Sequence, residues 1–167
     1  MLIEAALAVE IQRTNPALNE EVRRQYAHWV VEEATARDLD PWIFHGIIHT
    51  ETRWKAGIVV HEHDGSCSVG LGGINVRQCD SPRAAELRDP QKNIQAMGSF
   101  LSTIRHRCAH HCDGLGWLRA YNGGDRLYVP KKVGPIVDRC RAAYQQPPVR
   151  EVQARMHTPR VSGGEDY

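Results

Sequence analysis

The sequence predicts a mainly helical α+β domain with one small β region, and three observations predict it. Helix start signals recur along the chain, apolar residues follow them at a spacing near 3.6, and a single glycine-rich stretch breaks that pattern. Composition agrees with a folded domain, since 41% of the 167 residues are hydrophobic and 25% are charged. The balance of Lys+Arg 21 against Asp+Glu 20 excludes whole-chain disorder and gives no broad electrostatic footprint for nucleic acid or an anionic membrane. No apolar run approaches the ~18–20 residues of a membrane helix.

The elements follow in order. An N-terminal helical segment, 1–38, is expected to pack on the domain. Within it Asn19 caps a helix whose apolar face is Val22, Tyr26, Trp29, Val30 and Ala34. Asp40-Pro41 opens a second helix bearing Ile43, Phe44, Ile47 and Ile48, because proline is pre-organised for the first helical position. Ser81-Pro82 and Asp89-Pro90 repeat that signal, and Ile94, Met97, Leu101 and Ile104 make a stripe after the latter. A short helix is expected over 115–121, stopped by Gly123-Gly124, and a last one from about Pro130, with Gly134-Pro135 disturbing its first turn. Gly57 to Val76 differs: Ile58-Val59-Val60 and then Asp64-Gly65 predict a hairpin, and glycines at 70, 72 and 73 predict backbone packed closely against a neighbour. The domain core is placed at 39–146, and 147–167 is a polar, proline-containing tail, disordered or docked on a partner.

Glu51 is the chemically informative position. It continues the face of Phe44, Ile47 and Ile48, where a carboxylate loses water and its pKa rises, as a general acid requires. The alternative is a helix-end carboxylate paired with Arg53 or Lys55. Arg53 and Trp54 can contact a sugar; equally, Trp54 can cover the core. His45 and His49 are expected along a solvent-facing edge, without a catalytic role.

Four segments then fall in an order with a precedent. They are Glu51-Thr52-Arg53-Trp54, the run from Asp64-Gly65-Ser66 to Gly70-Leu71-Gly72-Gly73-Ile74-Asn75, Arg88-Asp89-Pro90-Gln91-Lys92-Asn93-Ile94, and Leu118-Arg119-Ala120-Tyr121-Asn122-Gly123-Gly124. Together, over about 39–144, they resemble the SLT-type lytic transglycosylases, peptidoglycan enzymes related to C-type lysozymes. The resemblance implies a lysozyme-like fold with the β-hairpin region beside the catalytic helix. It implies Glu51 as the single catalytic acid/base, with Ser68, Gly70, Leu71, Ile74, Asn75, Tyr121 and Asn122 binding peptidoglycan glycan strands. It implies cleavage between N-acetylmuramic acid and N-acetylglucosamine to leave 1,6-anhydro ends, without metal or organic cofactor. A C-type hydrolase carries a second carboxylate on the hairpin. Motif alignment puts Ser68 there, and nearby Asp64 suits the turn, so transglycosylase is expected over hydrolytic lysozyme. Where the family has Met-Gln this chain has Gly72-Gly73, which removes a side chain that lines the sugar site and keeps a non-catalytic wall-binding module as an alternative.

Five cysteines and nine histidines raise a separate question. Cys108 and Cys112 with a neighbouring histidine of 106–111, or His61, His63, Cys67 and Cys79, can hold structural zinc. The alternatives are surface histidines with buried or disulfide-linked cysteines, Cys67 with Cys79 stapling the β region, or a zinc-stabilised interaction module. The N-terminus lacks a basic start and makes a poor secretory signal, so the expected setting is a virion-associated protein or delivery to the periplasm by a non-Sec route. Virion or secretion-machine proteins would then be partners through the tail, with no nucleic acid and no membrane insertion.

Overall fold

The structure, a computed structural model, describes residues 3–108, 114–123 and 126–144. The expectations for the tail 147–167, for His110, His111 and Cys112, and for Gly124 lie outside the described residues. Six α-helices are present among the described residues: α1 (Ile3–Thr14), α2 (Glu20–Ala36), α3 (Pro41–Glu51), α4 (Pro82–Glu86), α5 (Pro90–Cys108) and α6 (Gly134–Ala143). Three short strands, β1 (Val59–His61), β2 (Cys67–Val69) and β3 (Ile74–Val76), lie between α3 and α4. A 3-10 helix (Gly116–Asn122) and a π-helical turn (Val129–Val133) lie between α5 and α6. The fold is therefore mainly helical α+β.

Local chemistry sets the helix starts. Asn19, Asp40 and Ser81 each accept a hydrogen bond from a backbone N–H of the first turn they precede. The Asp89 carboxylate does the same for the N–H of Lys92. Gly123, at φ 60°, stops the 3-10 helix by donating its N–H to the carbonyl of Arg119. The disturbance expected at Gly134-Pro135 takes the form of the π turn, which passes directly into α6.

The centre of the molecule is α3, in which every residue from Trp42 to Ile48 is buried. Its neighbours are α1 and α2 through Leu7, Ile11, Tyr26 and Val30, and α6 with the π turn through Val133 and Val137. Gly46 permits the latter approach, since a Cβ there would stand 3.0 Å from Cγ1 of Val133. A helix surrounded on all sides meets solvent chiefly at its ends. Glu51 is its last residue.

The β region is a three-stranded antiparallel meander, one strand more than the expected hairpin. Val60, Ser68 and Asn75 stand opposite one another across it, and so do Val59, Val69 and Ile74. The second set packs with Leu87 and Ala84 into a small core of its own. The Ile74 strand was concealed in the sequence by glycines 70, 72 and 73, whose role is a tight turn directly before it.

Candidate active site

Glu51 lies at the C-terminal end of α3, where the chain turns sharply. Arg53 and Trp54 follow with φ of 53° and 61°, a left-handed conformation costing about 1–2 kcal/mol for each side-chain-bearing residue. Core packing holds the turn: Trp54 is fully buried, stacks on Tyr26 and on His45, and donates its indole N–H to Nδ1 of His45 at 3.3 Å. Of the two readings of Trp54, the core one applies. The Thr52 hydroxyl donates to the carbonyl of Leu71 at 2.9 Å, tying the helix end to the glycine loop.

That loop comes up against the acid. Gly73, at φ +59°, suits glycine, and a Cβ there would stand a tight 3.2 Å from Oε2 of Glu51. A Cβ on Gly72 would be 2.8 Å from both the Tyr121 hydroxyl and the Met97 sulfur. The two glycines thus exchange side chains for a close approach of backbone to Glu51 and Tyr121. Asn93, fully buried, fixes the loop from behind: its amide donates to the carbonyls of Val69 and Leu87, and its Oδ1 accepts from the N–H of Gly72 at 2.8 Å.

The space in front of the loop is an open cleft of about 800 Å³. Glu51 and Glu62 both face it, together with Ser68, Ile74, Asn75, Tyr121 and Asn122. Five of the seven expected binding residues are therefore gathered at one surface beside Glu51. Gly70 and Leu71 are not among the lining residues. Gly70 is pressed against Asn93 and Leu87, and Leu71 is fully buried in the core, so both brace the cleft wall from behind. A groove of about 650 Å³ between α1 and α2 is lined by residues such as Ala5, Ala8 and Val9 and lies away from this chemistry.

Glu51 is solvent-exposed in the cleft wall rather than sealed in the apolar face that its spacing suggested. The surrounding walls still remove water from its carboxyl, and this burial is the largest influence on its pKa, raising it above the ordinary 4.5. Two nearby groups oppose the rise, a hydrogen bond from Tyr128 and the positive charge of Lys132, and the negative charge of Glu62 adds to it. The Tyr128 hydroxyl donates to Oε1 of Glu51 at 2.7 Å. Tyr128 is itself fully buried, its ring stacked on Tyr121 with centroids 6.4 Å apart. Tyr121 donates to the carbonyl of Gly72 at 2.6 Å. Two parallel tyrosines therefore orient the acid and the loop facing it.

Tyr128 and Glu62 are the site residues that sequence reasoning missed. Tyr128 could be sought one turn before the stripe of Val133, Ile136 and Val137, but its partner is 77 positions away. Glu62 is two residues past Val60 and so continues the exposed face of β1, the face of Ser68 and Asn75. The Ser68 hydroxyl donates to Oε1 of Glu62 at 2.5 Å. Asp64 occupies the turn, as expected, where it accepts from both the N–H and the hydroxyl of Ser66.

Of the two histidines, His45 corrects the expectation, while His49 is half-buried. His45 is fully buried in the core, not on a solvent-facing edge, and desolvation pushes its pKa down to about 3. Of the two sulfur clusters, Cys67 and Cys79 form a disulfide with Cα atoms 5.5 Å apart. Cys108 is also disulfide-bonded, which withdraws its sulfur from a thiolate set. Among the described residues Cys140 is the free thiol, and it is buried.

Comparison with family models, with characterised proteins and with solved structures finds no match to this chain. No helix among the described residues is long and apolar enough to cross a membrane. The arrangement defines a class by its chemistry alone: a carboxyl with raised proton affinity, in an open cleft lined by hydroxyl, amide and aromatic groups. Such a site can lend a proton and take it back.

Proposed function

We propose that this chain is a peptidoglycan lytic transglycosylase of lysozyme-like architecture, with Glu51 as its acid/base. The observation that carries the reading is the Glu51 carboxyl, held by Tyr128 and raised in pKa at the wall of a cleft. It donates its proton to the glycosidic oxygen between N-acetylmuramic acid and N-acetylglucosamine as the C1–O bond breaks. The resulting carboxylate then takes the proton of the muramyl C6 hydroxyl, whose oxygen closes onto C1. The products are a 1,6-anhydro end and a free N-acetylglucosamine 4-hydroxyl, and no water is consumed. Tyr128 steers the carboxyl, while Ser68, Asn75 and Asn122 offer hydrogen bonds and Tyr121 offers a ring edge to the glycan. The partner is the peptidoglycan strand, and the setting is local wall opening by a virion or a secretion machine. The residues need no metal for this chemistry.

A second reading has one observation in its favour. Glu62, fixed by Ser68, supplies the cleft with a second carboxylate from the β region. It can activate a water or steady an oxocarbenium-like transition state, which is hydrolysis of the lysozyme kind.

Purified protein incubated with sacculi, with soluble fragments analysed by mass spectrometry, separates the readings. Anhydro-muropeptides that fall by about 10²–10⁴-fold or more in Glu51→Gln are the expected result. Reducing ends in place of anhydro ends establish hydrolysis. No soluble product from the wild-type chain, or undiminished product from Glu51→Gln, overturns the catalytic reading.

A further inference from the structure

The sulfur–imidazole cluster behind the cleft wall is a second chemical site, one that the glycan chemistry does not use. Each strand of the meander, or the segment just past it, contributes one member. His61 on β1 stands directly across from Cys67 on β2, and Cys79 follows three positions after the end of β3. His61 Nδ1 is 3.6 Å from Sγ of Cys67 and 3.4 Å from Sγ of Cys79. All three ligand atoms lie within 4.8 Å of one another. The imidazole thus faces both sulfurs of the disulfide, although a disulfide has no use for it.

We infer that Cys67, Cys79 and His61 form a redox-gated site for a zinc-class divalent cation, the disulfide and the metal complex being alternative clamps on the same strands. Two thiolates and one imidazole are the donor set that borderline-soft cations select, at ~2.3 Å for sulfur and ~2.0–2.1 Å for nitrogen. Around a tetrahedral ion those lengths put neighbouring ligand atoms about 3.5–3.8 Å apart, the spacing the imidazole nitrogen already has to each sulfur. On reduction the two sulfurs move apart to match it by side-chain rotation. Water takes the fourth tetrahedral position. His61 is exposed and Cys79 half-exposed, so the cation has a path in.

The interconversion balances. A dithiol gives two electrons and two protons to the Cys67–Cys79 bond and becomes a disulfide itself. The cation then displaces the two thiol protons, which leave to solvent. Reoxidation by a disulfide or quinone-type acceptor removes two electrons, re-forms the S–S bond and frees the cation. Ser68, adjacent to Cys67, is held in the cleft wall in both forms, one suited to a reducing and one to an oxidising compartment.

The other titratable cluster, Glu10, His45 and Cys140, is a weaker cation holder. Arg13, Arg139 and Tyr144 already occupy the Glu10 carboxylate. Trp54 donates to Nδ1 of His45, so the ring proton is on Nε2, the atom that would have to bind metal.

Cobalt(II), a spectroscopic substitute for zinc, tests the inference. The full chain is reduced with a phosphine, desalted anaerobically and titrated alongside Cys67→Ser and His61→Ala. The wild-type chain should take up one equivalent more than Cys67→Ser, with sulfur-to-cobalt charge-transfer and tetrahedral ligand-field bands, and should release it on oxidation. His61→Ala retains both sulfurs and alters an exposed residue, so its fold is not at stake, and it should bind more than about tenfold more weakly. Equal uptake by wild type and Cys67→Ser overturns the site, as does undiminished affinity in His61→Ala or no uptake by the reduced wild-type chain.

Discussion

Tyr128 moderates how tightly the proton on Glu51 is held, against the larger effect of burial. Its hydroxyl donates to the carboxyl and so favours the charged form, against the burial that favours the neutral one. Tyr128→Phe retains the buried ring and deletes only that bond. The pKa of Glu51 should then rise further, and the alkaline limb of the kcat/KM profile should move to higher pH. Turnover should fall by roughly tenfold to a hundredfold, the worth of one charge-assisted hydrogen bond of about 1.5–3 kcal/mol. Glu62→Gln should act in the opposite sense on the limb, since it removes a like charge that raises the pKa. pH–rate profiles of the two variants on solubilised glycan check both signs; a limb that Tyr128→Phe lowers would contradict this account.

The cleft wall is an assembly of elements, and Asn93 on α5 is the joint between them. One side chain satisfies the carbonyls of Val69 and Leu87 and the N–H of Gly72, so it ties β2, the turn after α4 and the glycine loop to α5. Asn93→Ala strands these groups in a buried setting. Roughly 2–4 kcal/mol of stability should be lost, measurable as a lower urea midpoint. Activity should fall further than stability explains, because the loop that faces Glu51 loses its brace; a variant with full activity at the wild-type midpoint would show the clamp to be dispensable. Asn93 was visible in the sequence only as part of a motif, and its buried clamp was not. Caps such as Asn19, Asp40 and Ser81 were legible because their chemistry is complete within three residues. The β region was legible as a turn and a β-branched run, but its third strand and the Glu62–Ser68 contact depend on register, which a glycine-rich loop conceals.

At the scale of the whole molecule, the central helix explains both the error over His45 and the acid sensitivity expected of the fold. Helical periodicity separates an inner from an outer face only when a helix has an outer face, and α3 is enclosed from Trp42 to Ile48. His45 is therefore kept neutral: burial first, then the neighbouring His49, push its pKa down to about 3, Glu10 pulling the other way and Arg139 adding a smaller push down. In the unfolded chain the same ring takes a proton near 6.5. As pH falls below that value the unfolded state binds a proton that the folded state refuses, so the stability fully present above pH 6.5 is progressively lost down to about 3. His49, half-buried one turn along, is lowered by burial too and contributes in the same direction. Glu10 joins them only further down. Burial raises its pKa, hydrogen bonds from Arg139, Tyr144 and Arg13 outweigh that, and the net value lies below the ordinary 4.5. The interval from pH 6.5 to 4.5 thus leaves Glu10 out, and Glu51, whose raised pKa acts there in the opposite sense, is common to variant and wild type. Across it His45→Gln, whose amide oxygen can still accept from Trp54, should flatten the dependence of unfolding free energy on pH by up to one proton, about 1.4 kcal/mol per pH unit. Urea denaturation at several pH values reads that slope directly, and equal slopes in variant and wild type would mean that the core accommodates a charged imidazole after all.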